Sequence, residues 1–280
     1  MNVATKEGLL EVPGAKLFYK TCGTGPVLLT LQGGGGDADG SDGLAEALGD
    51  RYTVVAYDRR GLSRSSIDDS SAPAEVRTHS DDASRLLAAL SDEPAYVFGS
   101  SMGALIGLDL VAAHPEQVRL LVAHEAPAAQ LLDEPECTQL KEQQRDVEAT
   151  FEREGLFPAM QKFLAIAGGF ADDPEAEVKV QRPTGERMAQ HGTNLQFFLA
   201  HDAPSVHRFQ LDLAVLQSVA ERIVPAAGLV SRGSMPHHCA EALARVLGRK
   251  LEEFPGGHSG HVSRPRAFAE VLHQVLTAGA

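Results

Sequence analysis

One segment constrains the fold of this chain more than any other, the apolar stretch AYVFGSSMGALIGLDLVAA at residues 95–113. It begins as a short run of β-forming residues and ends in a stretch long enough for a helix. The small residues Gly99 and Gly103 permit a tight turn between the two, which would raise the Ser101 side chain at the positive end of the helix. Because this helix is apolar on almost every face, we expect it to be buried against the centre of a sheet.

Short apolar runs bounded by turn residues predict the other strands, and several are nearly continuous, as in PVLLTL and TVVAY. Such strands are typical of a mainly parallel sheet that helices cover on both faces. Amphipathic patterns predict helices between them, with Ser263 capping the last helix and Gly248 ending the one before it. The predicted strands are 16–22, 26–31, 52–57, 95–98, 120–123, 223–229 and 250–254, and the predicted helices are 76–90, 102–113, 236–247 and one through Phe268 and Leu276.

The alternation of strands and helices stops between about Pro127 and Ala220, where the pattern is helical and charged. We therefore expect an α/β core formed by residues 1–127 and 221–280, with a helical cap at 128–220 inserted after the sixth strand. The cap holds seven of the eleven phenylalanines, enough for a small core of its own or for the lining of a pocket. They are Phe151, Phe157, Phe163, Phe170, Phe197, Phe198 and Phe209, and we assign Phe197 and Phe198 to the pocket.

Composition excludes several kinds of partner. A net charge of −13 disfavours attraction to nucleic acid or to an anionic membrane, both of which are polyanions. The start MNVATKEGLLEV lacks the pattern of a signal peptide and no apolar run is long enough to span a bilayer, so we expect a cytoplasmic protein. The only dense set of metal-ligand residues, His237-His238-Cys239, would point in different directions on a helix, so no metal site is expected.

Four motifs follow one another in the order of a known family: LQGGGGD at 31–37, YDRRGLSRS at 57–65, GSSMG at 99–103 and FPGGHSG at 254–260. Together they resemble the α/β-hydrolase family, over nearly the whole chain outside the cap. The resemblance implies a nucleophile, an acid and a histidine in that order, with an oxyanion hole built partly from the first Gly-rich loop. It also implies that the turn with Asp58 and Arg59 braces neighbouring loops.

The resemblance assigns Ser101 as the nucleophile and His258 as the base, with His261 as a nearby competitor. The backbone N–H groups of Gly34 and Met102 would face the developing oxyanion, and Gln32 and Gly33 would lie beside the substrate. A phosphate-binding loop is the rival interpretation of the four glycines, but the GK[ST] ending and the spaced GxGxxG pattern are both missing.

The position of the triad's acidic residue differs from the commonest family pattern. The loop SRGSM at 231–235, where a carboxylate is usual, contains none. A minority of the family carries the acid after the preceding strand, where this chain has Glu125. We therefore expect Glu125 to complete the triad, with Asp202 and Asp212 as alternatives from the cap and its return.

These residues predict a serine hydrolase that cleaves an ester, thioester or lactone bearing an apolar part, without metal or organic cofactor. The alternative class is a non-hydrolytic protein of the same fold, such as an acyltransferase, a lyase or cyclase, or a ligand-binding module. The substrate and the oligomeric state do not follow from the sequence.

Overall fold

The computed structural model describes residues 5–69, 75–167, 173–178 and 184–279. A sheet of nine strands forms the centre of this part of the chain. Within these residues, no helix has the length and apolar character needed to cross a membrane. The strands are β1 (Lys6–Val12), β2 (Ala15–Gly23), β3 (Val27–Leu31), β4 (Thr53–Tyr57), β5 (Ser66–Ile67), β6 (Ala95–Ser100), β7 (Val118–His124), β8 (Ile223–Gly228) and β9 (Glu252–Phe254).

The sheet is mostly parallel, with the order β1-β2-β4-β3-β6-β7-β8-β9 and β5 paired to β2. All neighbours from β4 through β3 to β9 are parallel, whereas β2 is antiparallel to β1, β4 and β5. The inner parallel strands are the apolar runs of the sequence because both of their faces are covered, and every residue of β6 and β8 is buried, whereas the edge strand β9 is partly exposed. The α/β fold class is therefore confirmed.

Helices cover both faces of the sheet and also fill the long connection between β7 and β8. They are α1 (Asp42–Leu48), α2 (Val76–Leu90), α3 (Met102–Ala113), α4 (Glu136–Glu154), α5 (Leu156–Ile166), α6 (Glu186–Phe197), α7 (Ala203–Arg208), α8 (Leu213–Ser218), α9 (Met235–Leu247), α10 (Gly260–Ser263) and α11 (Pro265–Ala278). A π-helical turn, Phe198–Asp202, joins α6 to α7.

Alternation along the strands divides the core into two apolar clusters. In β6, Tyr96 and Phe98 pack on the side of α1 and α11, whereas Val97 packs on the side of α2, α3 and α9. Helix α3 is buried at almost every position from Met102 to Val111, as its uniform apolar sequence predicts. The turn before it is therefore held rigidly at the centre of the molecule.

Several elements differ from the sequence-based expectation. Strand β1 and helix α1 were not predicted, because β1 is a half-exposed edge strand and α1 has only seven residues. The helical connection follows β7, the seventh strand in chain order, whereas we expected it after the sixth. Ser263 ends α10, and α11 begins at Pro265 with Arg264 at its N-cap, so the predicted cap at Ser263 is wrong. Gly248 has the expected left-handed conformation at the end of α9.

Candidate active site

The candidate catalytic residues lie at the carboxyl edge of the parallel strands, where loops from consecutive strands meet. Ser101 follows β6, Glu125 follows β7 and His258 follows β9. The Gly-rich loop 32–36 follows β3, the neighbour of β6. The fold thus brings together residues that are far apart in the sequence.

Ser101 occupies a strained turn between β6 and α3. Its φ of 55° and ψ of −123° are unusual for a residue with a side chain. The turn is as tight as the sequence predicts: a Cβ added at Gly103 would lie 1.9 Å from the carbonyl oxygen of Leu31, and one at Gly99 would lie 2.5 Å from that of Gly103. Glycine is therefore required at both positions, and the serine between them is raised out of the sheet.

Glu125 and His258 form a close pair beside this turn. The Oε2 atom of Glu125 lies 2.6 Å from Nδ1 of His258, which is within hydrogen-bonding distance. The other carboxylate oxygen accepts the N–H of Gly228 at 2.9 Å and the hydroxyl of Ser231. Because a carboxylate only accepts hydrogen bonds, Nδ1 of His258 carries the proton in this pair and Nε2 is the nitrogen available to a reacting group.

Glu125 is fully buried, yet it is held as an anion. Burial by itself raises the pKa of Glu125, but the hydrogen bond with His258, the nearby histidine charges and the hydrogen bond from Ser231 outweigh it and lower the pKa to about 2. The backbone of Glu125 has a positive φ of 51°, and its N–H donates to the carbonyl oxygen of Ala226. The fold thus holds a charged side chain next to His258, on a residue whose backbone is strained.

The Gly-rich loop is fixed by hydrogen bonds to its carbonyl oxygens. Nη1 of Arg59 donates to the carbonyl of Gln32 at 2.7 Å and Nη2 donates to that of Gly34, while the N–H of Gly36 donates to that of Gly33 at 2.9 Å. The C=O of Gly33 and the N–H of Gly34 belong to one trans peptide and therefore point in opposite directions. Because the C=O of Gly33 points toward Gly36, the N–H of Gly34 points away from Gly36. Gly34 has a positive φ of 42° and open space where a Cβ would be.

A cavity between the carboxyl edge of the sheet and the helical connection contains Ser101 and His258. It offers about 60 Å³ to the centre of a water-sized sphere. The lining is mainly apolar except for the catalytic candidates and two further polar residues, Gln144 and His207. Two phenylalanines of the helical connection, Phe163 and Phe198, pack edge to face in it. The lining residues are Ser101, Met102, Glu125, Pro127, Leu140, Gln144, Val147, Phe163, Ile166, Ala167, Phe198, Ala203, Val206, His207, Met235, Pro236, Cys239 and His258.

Four residues that we expected at the site, Gln32, Gly33, Gly34 and Phe197, lie outside this lining. The side chain of Gln32 is held by Ser41 at 2.6 Å and by His261 at 3.2 Å, so it faces away from the cavity. Phe197 packs against Gly61. Gly33 is not in the lining either, but it touches the turn, because an added Cβ would lie 2.8 Å from Cβ of Ser101.

The alternative acids and the alternative base are engaged elsewhere. Asp202 lies 3.2 Å from Nη2 of Arg59 and 3.2 Å from Nε2 of His79, and Asp212 caps α8 through the N–H of Val215. His261 is the partner of Gln32. None of these three residues lines the cavity.

Other sequence candidates have different surroundings. His238 pairs with Glu136 at 2.5 Å, whereas Cys239 lines the cavity. In the part of the chain that the structure describes, no group of three or more His, Cys, Asp or Glu is arranged to hold a metal ion. Phe157 is 83% exposed, and Phe170 lies outside the described residues.

Three polar residues at the site were not singled out by the sequence analysis. Ser231 comes from the loop that lacks a carboxylate and instead donates to Glu125. Gln144 and His207 line the cavity from α4 and α7. The sequence does contain a sign of Gln144, because this polar residue lies between Leu140 and Val147 at helical spacing, where an apolar residue would continue the stripe.

Comparison with known proteins agrees with this architecture. The family model for the alpha/beta hydrolase fold matches residues 26–159. The structure of a thermophilic esterase from Thermogutta terrifontis with bound malate superposes with a TM-score of 0.73 at 19% identity, covering 98% of this chain and 99% of the esterase. At that identity, the likeness concerns the fold alone.

Sequence relatives extend the match over nearly the whole chain. The protein named putative carbamate hydrolase RutD from Serratia proteamaculans is 25% identical over 256 residues, which cover 88% of this chain and 89% of the relative. The protein named uncharacterized hydrolase YraK from Bacillus subtilis is 39% identical over 273 residues, which cover 96% of this chain and 95% of the relative. With the parallel sheet and the strained serine turn, these matches show that the chain belongs to the α/β-hydrolase family.

Proposed function

We propose that this protein is a serine hydrolase that cleaves an ester, thioester or lactone through an acyl-enzyme on Ser101. The observation that carries the proposal is the 2.6 Å contact between Glu125 and Nδ1 of His258, in a cavity that also contains Ser101. A buried carboxylate that orients an imidazole next to a serine on a strained turn is the arrangement that activates a hydroxyl for nucleophilic attack.

In the proposed reaction, Nε2 of His258 removes the proton of Ser101 as its Oγ attacks the substrate carbonyl carbon. The oxyanion that forms would accept hydrogen bonds from the N–H groups of Gly34 and Met102. Met102 supports this role because it opens α3, where the first N–H groups have no partner within the helix. His258 then protonates the leaving group. In the second half of the reaction His258 takes a proton from the water that attacks the acyl carbon, and it returns this proton to Oγ of Ser101 as the acid leaves.

The negative charge of Glu125 matters in each of these steps. An imidazolium forms whenever His258 holds the serine or water proton, and it would be costly in a buried site without a counter-charge. The lowered pKa of Glu125 keeps that carboxylate ionised over the whole range in which a histidine can act as a base.

The cavity favours a short substrate group with apolar surface. About 60 Å³ of it is open to the centre of a water-sized sphere, which suits a short group, and the Phe163 and Phe198 rings supply apolar walls. Carbamates belong in the same test panel, because the name of one relative suggests their hydrolysis and the attack on a carbonyl carbon is the same.

The test is hydrolysis of p-nitrophenyl acetate and butyrate by wild-type protein and by Ser101→Ala. We expect Ser101→Ala to lose at least about a thousandfold in kcat, because removing the nucleophile leaves only the contributions of binding and of the oxyanion hole. The matched control is Ser100→Ala, one residue earlier in β6, which should keep most of the activity.

Labelling with a fluorophosphonate separates this proposal from a binding module with the same fold. Mass spectrometry should find the label on Ser101 in the wild-type protein. Equal loss of activity in both serine variants, or an unlabelled Ser101, would contradict the proposal. Labelling of Ser101 without release of free acid in water would instead indicate acyl transfer.

A further inference from the structure

The cavity wall contributed by α4 contains a polar side chain at an apolar position. Helix α4 turns Leu140, Gln144 and Val147 toward the core, and Gln144 is only 7% exposed. Its amide has no hydrogen-bond partner among the residues that the structure describes. The amide is not among the fully buried polar atoms without a partner, because Gln144 lines the open cavity. A helix packed only for stability favours Leu or Met at such a position, since an apolar side chain needs no hydrogen-bond partner.

The imidazole of His207 is a second polar group in the lining of the same cavity. Nδ1 of His207 lies 2.6 Å from Oε1 of Glu148, which is one helical turn after Gln144 on α4. Because the carboxylate is an acceptor, Nδ1 carries a proton and Nε2 is left without a partner in the described part of the chain. Burial lowers the pKa of His207 against the opposing effect of Glu148, so the ring is neutral at pH 7 and its Nε2 is an acceptor.

We propose that Gln144 and His207 form a polar subsite that binds a hydroxyl group on the substrate, next to the carbonyl that Ser101 attacks. The hydroxyl would accept a hydrogen bond from the Gln144 amide and donate its own proton to Nε2 of His207. This inference rests on the proposed function, since it concerns the same cavity, and it narrows the substrate class to hydroxy esters, hydroxy thioesters or hydroxylated lactones.

A hydroxyl fits this pair better than a charged group or a hydrocarbon. A carboxylate would need a cation, but none of the described residues that line the cavity is Lys or Arg, and the ionised Glu125 repels a second negative charge. A hydrocarbon would cover the Gln144 amide and leave it without a partner. A donor and an acceptor that line the same cavity match a group that both accepts and donates, which is what a hydroxyl does.

Binding to the Ser101→Ala protein provides the first test, because it does not depend on turnover. The probes are methyl 2-hydroxybutanoate and methyl 3-hydroxybutanoate, each compared with methyl butanoate by titration calorimetry. We expect at least one hydroxy ester to bind about tenfold tighter than methyl butanoate, which is the usual effect of one or two matched hydrogen bonds. Adding Gln144→Leu to this protein should abolish the difference, and so should His207→Phe.

The matched control is Gln143→Leu, the same substitution on the adjacent, exposed position of α4. It should leave the ratio of the two affinities unchanged, and in the protein with Ser101 intact the ratio of kcat/KM values should follow the same pattern. Equal binding of hydroxylated and plain esters, or an unchanged ratio in Gln144→Leu, would overturn the subsite. Failure of the serine hydrolase proposal would show separately, as an unlabelled Ser101 and no hydrolysis of any ester.

Discussion

At the scale of single residues, Glu125 combines features that are seldom found together: full burial, a positive φ and a pKa lowered to about 2. Three donors converge on its two oxygens, from His258, Gly228 and Ser231. A glutamine in its place would present an NH₂ group to at least one of these donors. The position therefore depends on the charge as well as on the shape of the side chain.

We predict that Glu125→Gln lowers kcat by orders of magnitude with little change in KM. Loss of the corresponding charge costs about 10⁴ in kcat in a well-studied serine protease, because the imidazolium formed during the reaction is no longer stabilised. The measurement is steady-state hydrolysis of p-nitrophenyl butyrate, with circular dichroism to check the fold.

The chain provides a matched control for this substitution. Glu136 also pairs with a histidine, His238, at 2.5 Å, but it is not part of the cavity lining. Glu136→Gln should therefore keep nearly full activity. Activity of Glu125→Gln within a few-fold of the wild-type value would mean that His258 works without this acid.

At the scale of elements, the sequence predicted well those helices and strands whose apolar residues all face the core. Helices α2 and α3 begin and end where the pattern placed them, since their apolar faces are buried along their full length. Strand β1 was missed because it lies at the edge of the sheet, where only alternate residues are covered. The order of the catalytic candidates came from the resemblance to the α/β-hydrolase family, and in the structure each of them follows a strand.

The cavity could not be predicted in the same way. Its walls come from α4, α5, α7 and α9, and which faces of these helices meet is decided by packing between segments distant in the sequence. Phe197 and Phe198 are neighbours with similar sequence surroundings, yet only Phe198 reaches the lining. A helical pattern reports that one face is buried without reporting what covers it.

The tight contact between α3 and β3 gives a prediction about stability. A Cβ at Gly103 would lie 1.9 Å from the carbonyl oxygen of Leu31, which is backbone and cannot rotate away. Gly103→Ala should lower the free energy of unfolding by about 1–3 kcal/mol or more, as overpacking of a rigid core does. Urea unfolding followed by circular dichroism measures the change.

Gly192 is the matched control, since it is a glycine inside helix α6 with open space around the position of a Cβ. Gly192→Ala should leave stability unchanged or raise it by up to about 1 kcal/mol, because alanine favours the helix. The prediction fails if Gly103→Ala is as stable as the wild-type protein.

At the scale of the whole molecule, the apolar cluster on the side of α1 and α11 encloses two histidines whose lowered pKa values keep them uncharged in the folded state. His124 is surrounded by the rings of Phe98, Phe254 and Phe268 at centroid distances of 6.4, 6.0 and 5.5 Å. Both of its ring nitrogens lack a hydrogen-bond partner among the described residues. Burial, with smaller effects of His258 and His237 and against the opposing charge of Glu125, lowers the pKa of His124 to about 4.

His261 behaves in the same way. It is buried beside Phe98 and Phe268, and burial, with the neighbouring His124 and His258, lowers its pKa to about 3. In the unfolded chain both histidines take up a proton near pH 6.5. Glu125 also titrates differently in the two states, because its pKa is about 2 in the folded state and 4.5 in the unfolded chain.

These shifts predict how stability depends on pH. Between pH 6.5 and about 4 the unfolded chain binds more protons than the folded protein, so stability must fall as the pH falls. The two neutral histidines contribute fully to the stability of the folded state above pH 6.5. This contribution is lost as the pH falls from 6.5 to the pKa values of the histidines in the folded state. The contribution of Glu125 is complete above pH 4.5 and is lost on the way down to about 2.

His124→Phe tests the first of these windows. The substitution removes a group that must be kept neutral and loses no hydrogen bond seen in the described residues, although the larger ring can change the stability at pH 7. The decisive quantity is therefore the slope: between pH 6.5 and 4.5 the free energy of unfolding should fall less steeply in His124→Phe than in the wild-type protein. The exposed histidine of α6 serves as control, since His191→Phe should keep the wild-type slope. Equal slopes in all three proteins would mean that His124 takes up its proton in the folded state as readily as in the unfolded chain.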